Sequence, residues 1–377
     1  MKQLKNNEYS FNPEMLTLAR QTRGVSQREL AELLSVSPGW LSKIEGGVKK
    51  ITQEQLRRTA DILDYPTDFF MASRRVYGPG ISELFHRRRR NVPLRILDRN
   101  QAQMEIRRMH LADMLNGLDI GDIDIPTYDI HEFNGNIQDI ARAVRACWQL
   151  PTGPLHNVTK SIEEARGIII PFDFGTKRID ATSCWPPNMP PLFFADTTAP
   201  GDRLRFSLCH ELGHLVMHQD TPNPDMEAQA NEFAAEFLMP EKDIRPYLAN
   251  LSLEKLVTLK PYWKVSMSAL LYRARDLGEV TPRHAKTIWI QMGQYGSRVH
   301  EPMELDIPTE KPALYEEVIG VYSNEMDYSL SDLAKLFRMR EHEVCHIYFG
   351  AKPNLRDEDA QAAVKEAEHI LREYREH

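Results

Sequence analysis

The 377-residue sequence predicts an α+β protein that is mostly α-helical, and three observations carry that prediction. Apolar residues recur at helical spacing from Met15 to Phe70, around a histidine pair near position 210, and again in the last third. Two short apolar runs, 167–171 and 191–196, read as strands of a small sheet. Charge is split unevenly: residues 1–110 hold 20 Lys and Arg against 12 Asp and Glu, which leaves about −15 for the rest of a chain of net charge −7. A basic first third on an acidic protein points to a nucleic-acid module joined to something else. The expected arrangement is an N-terminal all-α helix-turn-helix bundle (1–75), a basic linker and connecting helix (76–117), a central domain with the small sheet (118–250) and a helical C-terminal domain (251–377).

In the bundle, the first helix runs from near Pro13 to Arg23 and stops at Gly24. Ser26 and Glu29 form a capping box for the second. After a tight turn ending at Val36, Ser37 caps a third helix with Pro38 in its first turn, closed by Gly46 and Gly47. Two more are expected near 53–63 and 68–73. The segment SQRELAELLSVSPGWLSKIEGG resembles the XRE/Cro-like family of DNA-binding domains over most of residues 13–72. That resemblance implies an operator in double-stranded DNA as partner. It makes Gln27 a phosphate anchor and turns Pro38, Gly39, Trp40, Ser42 and Lys43 to the major groove. Regulators of this kind usually pair to match palindromic sites, so a homodimer is expected. The run His86 to Arg90, after the Gly78-Pro79-Gly80 break, reads as a solvated linker or a phosphate-contacting arm. A long helix from about 97 to 115 should follow.

The central domain carries His210-Glu211-Leu212-Gly213-His214. Two imidazoles four residues apart on a helix share a face, their Cβ atoms about 5–6 Å apart, so both reach one Zn²⁺. The glutamate between them is placed to take a proton from water. Phe206, Cys209, Leu212, Val216 and Met217 give the same helix an apolar stripe, from Asp202 as N-cap to near Gln219. A catalytic zinc needs a third protein ligand. On the next helix, near 225–238, Glu227 is the chosen ligand, with Asn231 one turn on to orient a histidine and Glu232 and Glu236 as competing carboxylates. Phe233, Ala234, Phe237 and Leu238 read as core, and Pro240 ends the helix. The strand Leu192–Ala195 is expected to hold an extended peptide by main-chain pairing.

Together, RFSLCHELGHLVMH and EAQANEFAAEFLMP resemble the ImmA/IrrE family of zinc metallo-endopeptidases. The resemblance implies a zincin-like metallopeptidase domain, Zn²⁺ held by His210, His214 and Glu227, and Glu211 as general base. It also implies a narrow protein substrate, a DNA-binding repressor cleaved in response to stress or a signal. His218 is typical of the family and reads as packing behind the ligands. Cys209 stands where the family more often has a small residue, and packing is its expected role. His218, Tyr247 and Arg273 remain alternatives for stabilising an oxyanion, and the donor set also accepts Mn²⁺ or Fe²⁺.

Hydrophobic content of 42% and charge of 27% are those of an ordinary globular protein. No signal peptide or membrane-length apolar run is read, and four scattered cysteines suit a reducing cytoplasm without disulfides. In the last third, 259–273 reads as helix, turn and capped helix beside the metal core. Residues 333–350 overlay 30–47 without a gap, giving a second two-helix unit. Its Glu341 and Glu343 repel phosphate, so docking or dimerisation is expected of it. Residues 357–377 suggest a last amphipathic helix. Taken together, the sequence predicts a DNA-binding regulator whose zinc endopeptidase domain cleaves a repressor, or this chain itself between 74 and 95. The alternative is a non-proteolytic regulator or antitoxin that senses a ligand or metal.

Overall fold

Caps legible in the sequence set the first helices. Asn12 accepts from the Glu14 amide, and Pro13 fills the first turn of α1 (Pro13–Thr22). Ser26 and Glu29 cap each other's backbone on α2 (Gln27–Leu33), and Ser37 caps α3 (Pro38–Glu45). A further box, Thr52 with Gln55, opens α4 (Gln53–Leu63). Where a helix was expected at 68–73 there is a single 3-10 turn, Thr67–Met71, which buries the adjacent Phe69 and Phe70. The long α5 spans Leu94–Leu115. This computed structural model describes residues 11–73, 76, 92–218, 223–294, 301 and 305–349. The basic run at 86–90 and the expected helix at 357–377 lie outside the described residues.

The central region begins with α6 (Ile137–Cys147) and α7 (Val158–Glu164), then three strands: β1 (Ile168–Pro171), β2 (Ala181–Cys184) and β3 (Leu192–Ala195). Next come α8 (Gly201–Met217), α9 (Met226–Leu238), α10 (Glu241–Leu248), α11 (Leu253–Trp263), α12 (Met267–Asp276) and α13 (Pro282–Gln294). The chain closes through α14 (Leu314–Gly320), α15 (Leu330–Phe337) and α16 (Glu341–Phe349). The expected helix, turn and capped helix over 259–273 are α11, a left-handed Lys264, and α12 capped by Ser266.

Sheet order is β1-β3-β2, with β3 parallel to β1 and antiparallel to β2. This corrects one expectation. Leu192–Ala195 is the central strand, paired on both sides, so its main chain is spent and cannot hold a peptide. The strand packed against α8 is β2, and it is an edge strand. Its Ala-Thr-Ser-Cys sequence lacks the apolar alternation that would announce a strand.

A second correction concerns α8. Its N-cap position is Pro200, two residues earlier than read, and it ends at Met217. Asp202 is not the cap: its carboxylate is buried and ion-paired with the equally buried Lys260. Gly201 is needed because a Cβ there would lie 2.3 Å from the Ile307 carbonyl, where a later segment crosses the helix start. At Gly213, where α8 packs on α9, the fit is tight: an added Cβ would meet the Phe233 ring at 3.0 Å, and the ring would have to give way. Phe233, Ala234, Phe237 and Leu238 are fully buried, as their spacing predicts.

Two compact units result: Met1–Gly78 with Pro93–Leu118 and Val318–His377, and Pro79–Val92 with Asp119–Glu317. The stretch read as one C-terminal region, 251–377, is therefore shared between them. Among the described residues, no helix is long and apolar enough to cross a membrane.

Candidate metal centre

On α8, the i, i+4 spacing stacks His210 and His214 on one face, their ring centroids 4.7 Å apart and both side chains buried. The neighbouring α9 brings Glu227 from its first turn. The two Nε2 atoms are 3.0 Å apart, and the Glu227 carboxylate lies 3.4 Å from His214 Nε2 and 3.8 Å from His210 Nε2. Among the described residues this is the one His/Cys/Asp/Glu group whose ligand atoms gather within 4.8 Å.

Proton bookkeeping explains why that point suits a cation. A carbonyl oxygen only accepts, so the ring nitrogen facing it must carry the proton. His210 Nδ1 therefore donates to Asn231 Oδ1 at 3.0 Å, and His218 Nε2 donates to Gln229 Oε1 at 2.9 Å. His218 Nδ1 is then an acceptor, and His214 Nδ1 donates to it at 3.0 Å. Burial, with His214 adding to it, pushes His218 down to about 4, so this link stays neutral. The imidazole protons of both His210 and His214 are thus directed away from the shared point, and both Nε2 lone pairs are directed at it. Donors held about 2.0–2.1 Å from a tetrahedral zinc sit roughly 3.3 Å apart, so separations of 3.0–3.8 Å fit the ion.

Glu211 follows His210 directly on α8. Its Oε2 accepts from the Ser183 hydroxyl of β2 at 2.9 Å, and both residues are buried. The competing carboxylates lie elsewhere. Glu232 is exposed, and Glu236 is clamped between Arg142 and Arg273. Of the three oxyanion alternatives, His218 is engaged by His214, Arg273 by Glu236 and the Met239 carbonyl, and Tyr247 packs on the rings of Tyr262 and Trp263. Cys209 is fully buried in the core, where burial pushes its thiol well above the usual range.

Residues 164–275 match a family model for the IrrE N-terminal-like domain of the M78 peptidases, and residues 14–68 match one for a helix-turn-helix domain. The chain joins a helix-turn-helix domain to an IrrE-type domain. No curated protein matches it.

The IrrE-type match covers the sheet, α8, α9 and the helices through α12, and so the whole metal cluster. In the helix-turn-helix domain, α3 leaves Pro38, Gly39, Ser42 and Lys43 exposed, with Trp40 half-buried under the Lys49 ammonium at 5.7 Å. Gln27 is turned inward: its amide donates to Glu45 Oε2 at 2.8 Å, and Glu45 also binds Arg20. Sequence reading missed Ser183 and Gln229. Gln229 is legible in retrospect, two residues after Glu227 and two before Asn231. Ser183 carries no signal, because its role depends on β2 lying against α8.

Proposed function

We propose that this protein is a DNA-binding regulator whose IrrE-type domain is a zinc-dependent endopeptidase acting on a protein, in the first place a repressor. The observation that supports it is the pairing of an ion-ready donor set with a second, separate carboxylate one residue from the first ligand. His210, His214 and Glu227 would hold Zn²⁺, and a bound ion would supply a Lewis acid that polarises a peptide carbonyl and acidifies water. Glu211 is the residue that takes the proton and passes it to the leaving amine. Ser183 donates to one oxygen of that carboxylate and so fixes its orientation. Asn231 and the His218–Gln229 pair fix the ring tautomers. Among the described residues β2 pairs on one side only, and its other edge, beside α8, is the place for an extended substrate to pair by its main chain. A purely structural cation needs three or four ligands but no base, which is why Glu211 favours catalysis over sensing.

The test is a Glu211→Gln variant. It should keep one zinc per chain by elemental analysis and keep operator binding, yet lose regulation of the target gene. Unchanged regulation would favour a domain that senses metal or ligand without cutting. Zinc-loaded protein incubated alone should be followed for fragments, since their absence removes spontaneous self-cleavage.

A further inference from the structure

The C-terminal hairpin repeats the DNA-facing hairpin at a constant offset. Ser26 and Glu29 box the start of α2, and Ser329 and Asp332 box the start of α15. The left-handed residue between the helices is Ser35 (φ 57°) in one and Arg338 (φ 55°) in the other. Buried Leu30, Ala31, Leu34 and Leu41 correspond to buried Leu333, Ala334, Phe337 and Val344. On that frame, Gly39 and Trp40 of α3 become His342 and Glu343 of α16.

Those two side chains face protein. Glu343 accepts from both terminal nitrogens of Arg23, at 2.6 and 2.7 Å. His342 Nε2 lies 2.8 Å from Asp64 Oδ2, and Arg340 lies 3.7 Å from the same carboxylate. Arg23 also donates to the Leu63 and Asp64 carbonyls and covers the Tyr65 ring, so all three of its side-chain nitrogens are engaged. Beneath the hairpin, His110 of α5 stacks on Phe337 and bonds the Tyr348 hydroxyl at 2.6 Å. The covered surface is the C-terminal ends of α1 and α4. On α3, Ser42 and Lys43 stay exposed.

We propose that α16 is a protein-reading helix whose partner is this chain's own N-terminal bundle, and that this contact retains the bundle when the backbone is cut between Ser73 and Val92. A break there, whatever makes it, nicks the regulator without releasing its DNA-binding part. The α5 helix packs along α1 and holds the bundle together with α16, donating from Arg95 to the Gly24 carbonyl and from Gln103 to the Thr22 carbonyl. The proposal does not depend on the metal centre, and its test uses an added protease.

The full chain would carry a recognition site for a sequence-specific protease between Ser73 and Val92. After cutting, the two fragments are expected to co-elute on gel filtration at micromolar concentration. Glu343→Arg should weaken their association at least ten-fold, and the Arg23→Glu/Glu343→Arg double variant should recover part of the loss, because the swap restores the ion pair but not the Arg23 bonds to the Leu63 and Asp64 carbonyls. Glu343→Gln, which keeps the side-chain shape, covers the case in which the reversal prevents folding and should weaken association several-fold. Separation of the unsubstituted fragments, or equal retention in both Glu343 variants, overturns the proposal.

Discussion

At its N-terminal end α9 presents Glu227 to the Nε2 atoms of His210 and His214, whereas at its C-terminal end Glu236 sits at zero exposure between Arg142 and Arg273. Both are glutamates on one helix, nine residues apart. Glu236 also receives the Glu241 amide, so its charge is matched by two guanidinium groups and its oxygens are taken by donors. Glu227 meets two imidazoles whose protons have been led elsewhere. One end of the helix is electrostatically complete, and the other would be completed by a cation. The role of a carboxylate is set by what the opposing elements present to it, more than by its place in the helical repeat.

The comparison can be broken most directly at Glu227. Glu227→Gln should drop bound zinc from one per chain to background and abolish zinc's effect on melting. For the parent protein that effect is about 4 kcal/mol when free zinc is a thousand times its dissociation constant. Calorimetry with and without chelator reads both quantities. The opposite pattern is expected at the other end. Glu236→Gln leaves two arginines facing a neutral amide in a buried site and should cost about 3–5 kcal/mol of stability, measured by denaturant unfolding, while zinc stoichiometry holds at one. If Glu236→Gln also lost zinc, the two ends would not be separable. A smaller effect sharpens the same contrast. Asn231→Ala, which frees the His210 ring to turn, should weaken zinc about 10–100-fold in a competition titration. Its neighbour Glu232→Ala should leave both affinity and stability within about 0.5 kcal/mol.

Much of this was legible from residues. His210 and His214 are fixed on one face by the helical repeat, and the core positions of α9 follow from theirs. The caps at Ser26, Ser37 and Ser266 and the repeat as far as it is described, 333–349, are local signals read correctly because each acts within a few residues. Asp202 shows the limit of such signals. As a cap it is sound by type, but a buried lysine 58 residues later makes a stronger claim on its carboxylate. The strand assignment failed for a related reason. Leu192–Ala195 has the most strand-like sequence because it is central and buried on both faces, and for that same reason its edges are occupied.

By itself, then, the sequence determined the caps of the first helices, which helix faces are apolar, and that two imidazoles and a nearby carboxylate share a reachable point. These depend on contacts a few residues apart, whose geometry the backbone period dictates. Tertiary structure alone decided that β2 is the edge strand beside α8, that Ser183 holds Glu211, that Glu236 is used up by arginines, and that α16 grips the N-terminal bundle through Arg23 and Asp64. Each of these joins residues far apart in the chain, where the partner follows from how faces stack and which buried charge lies opposite.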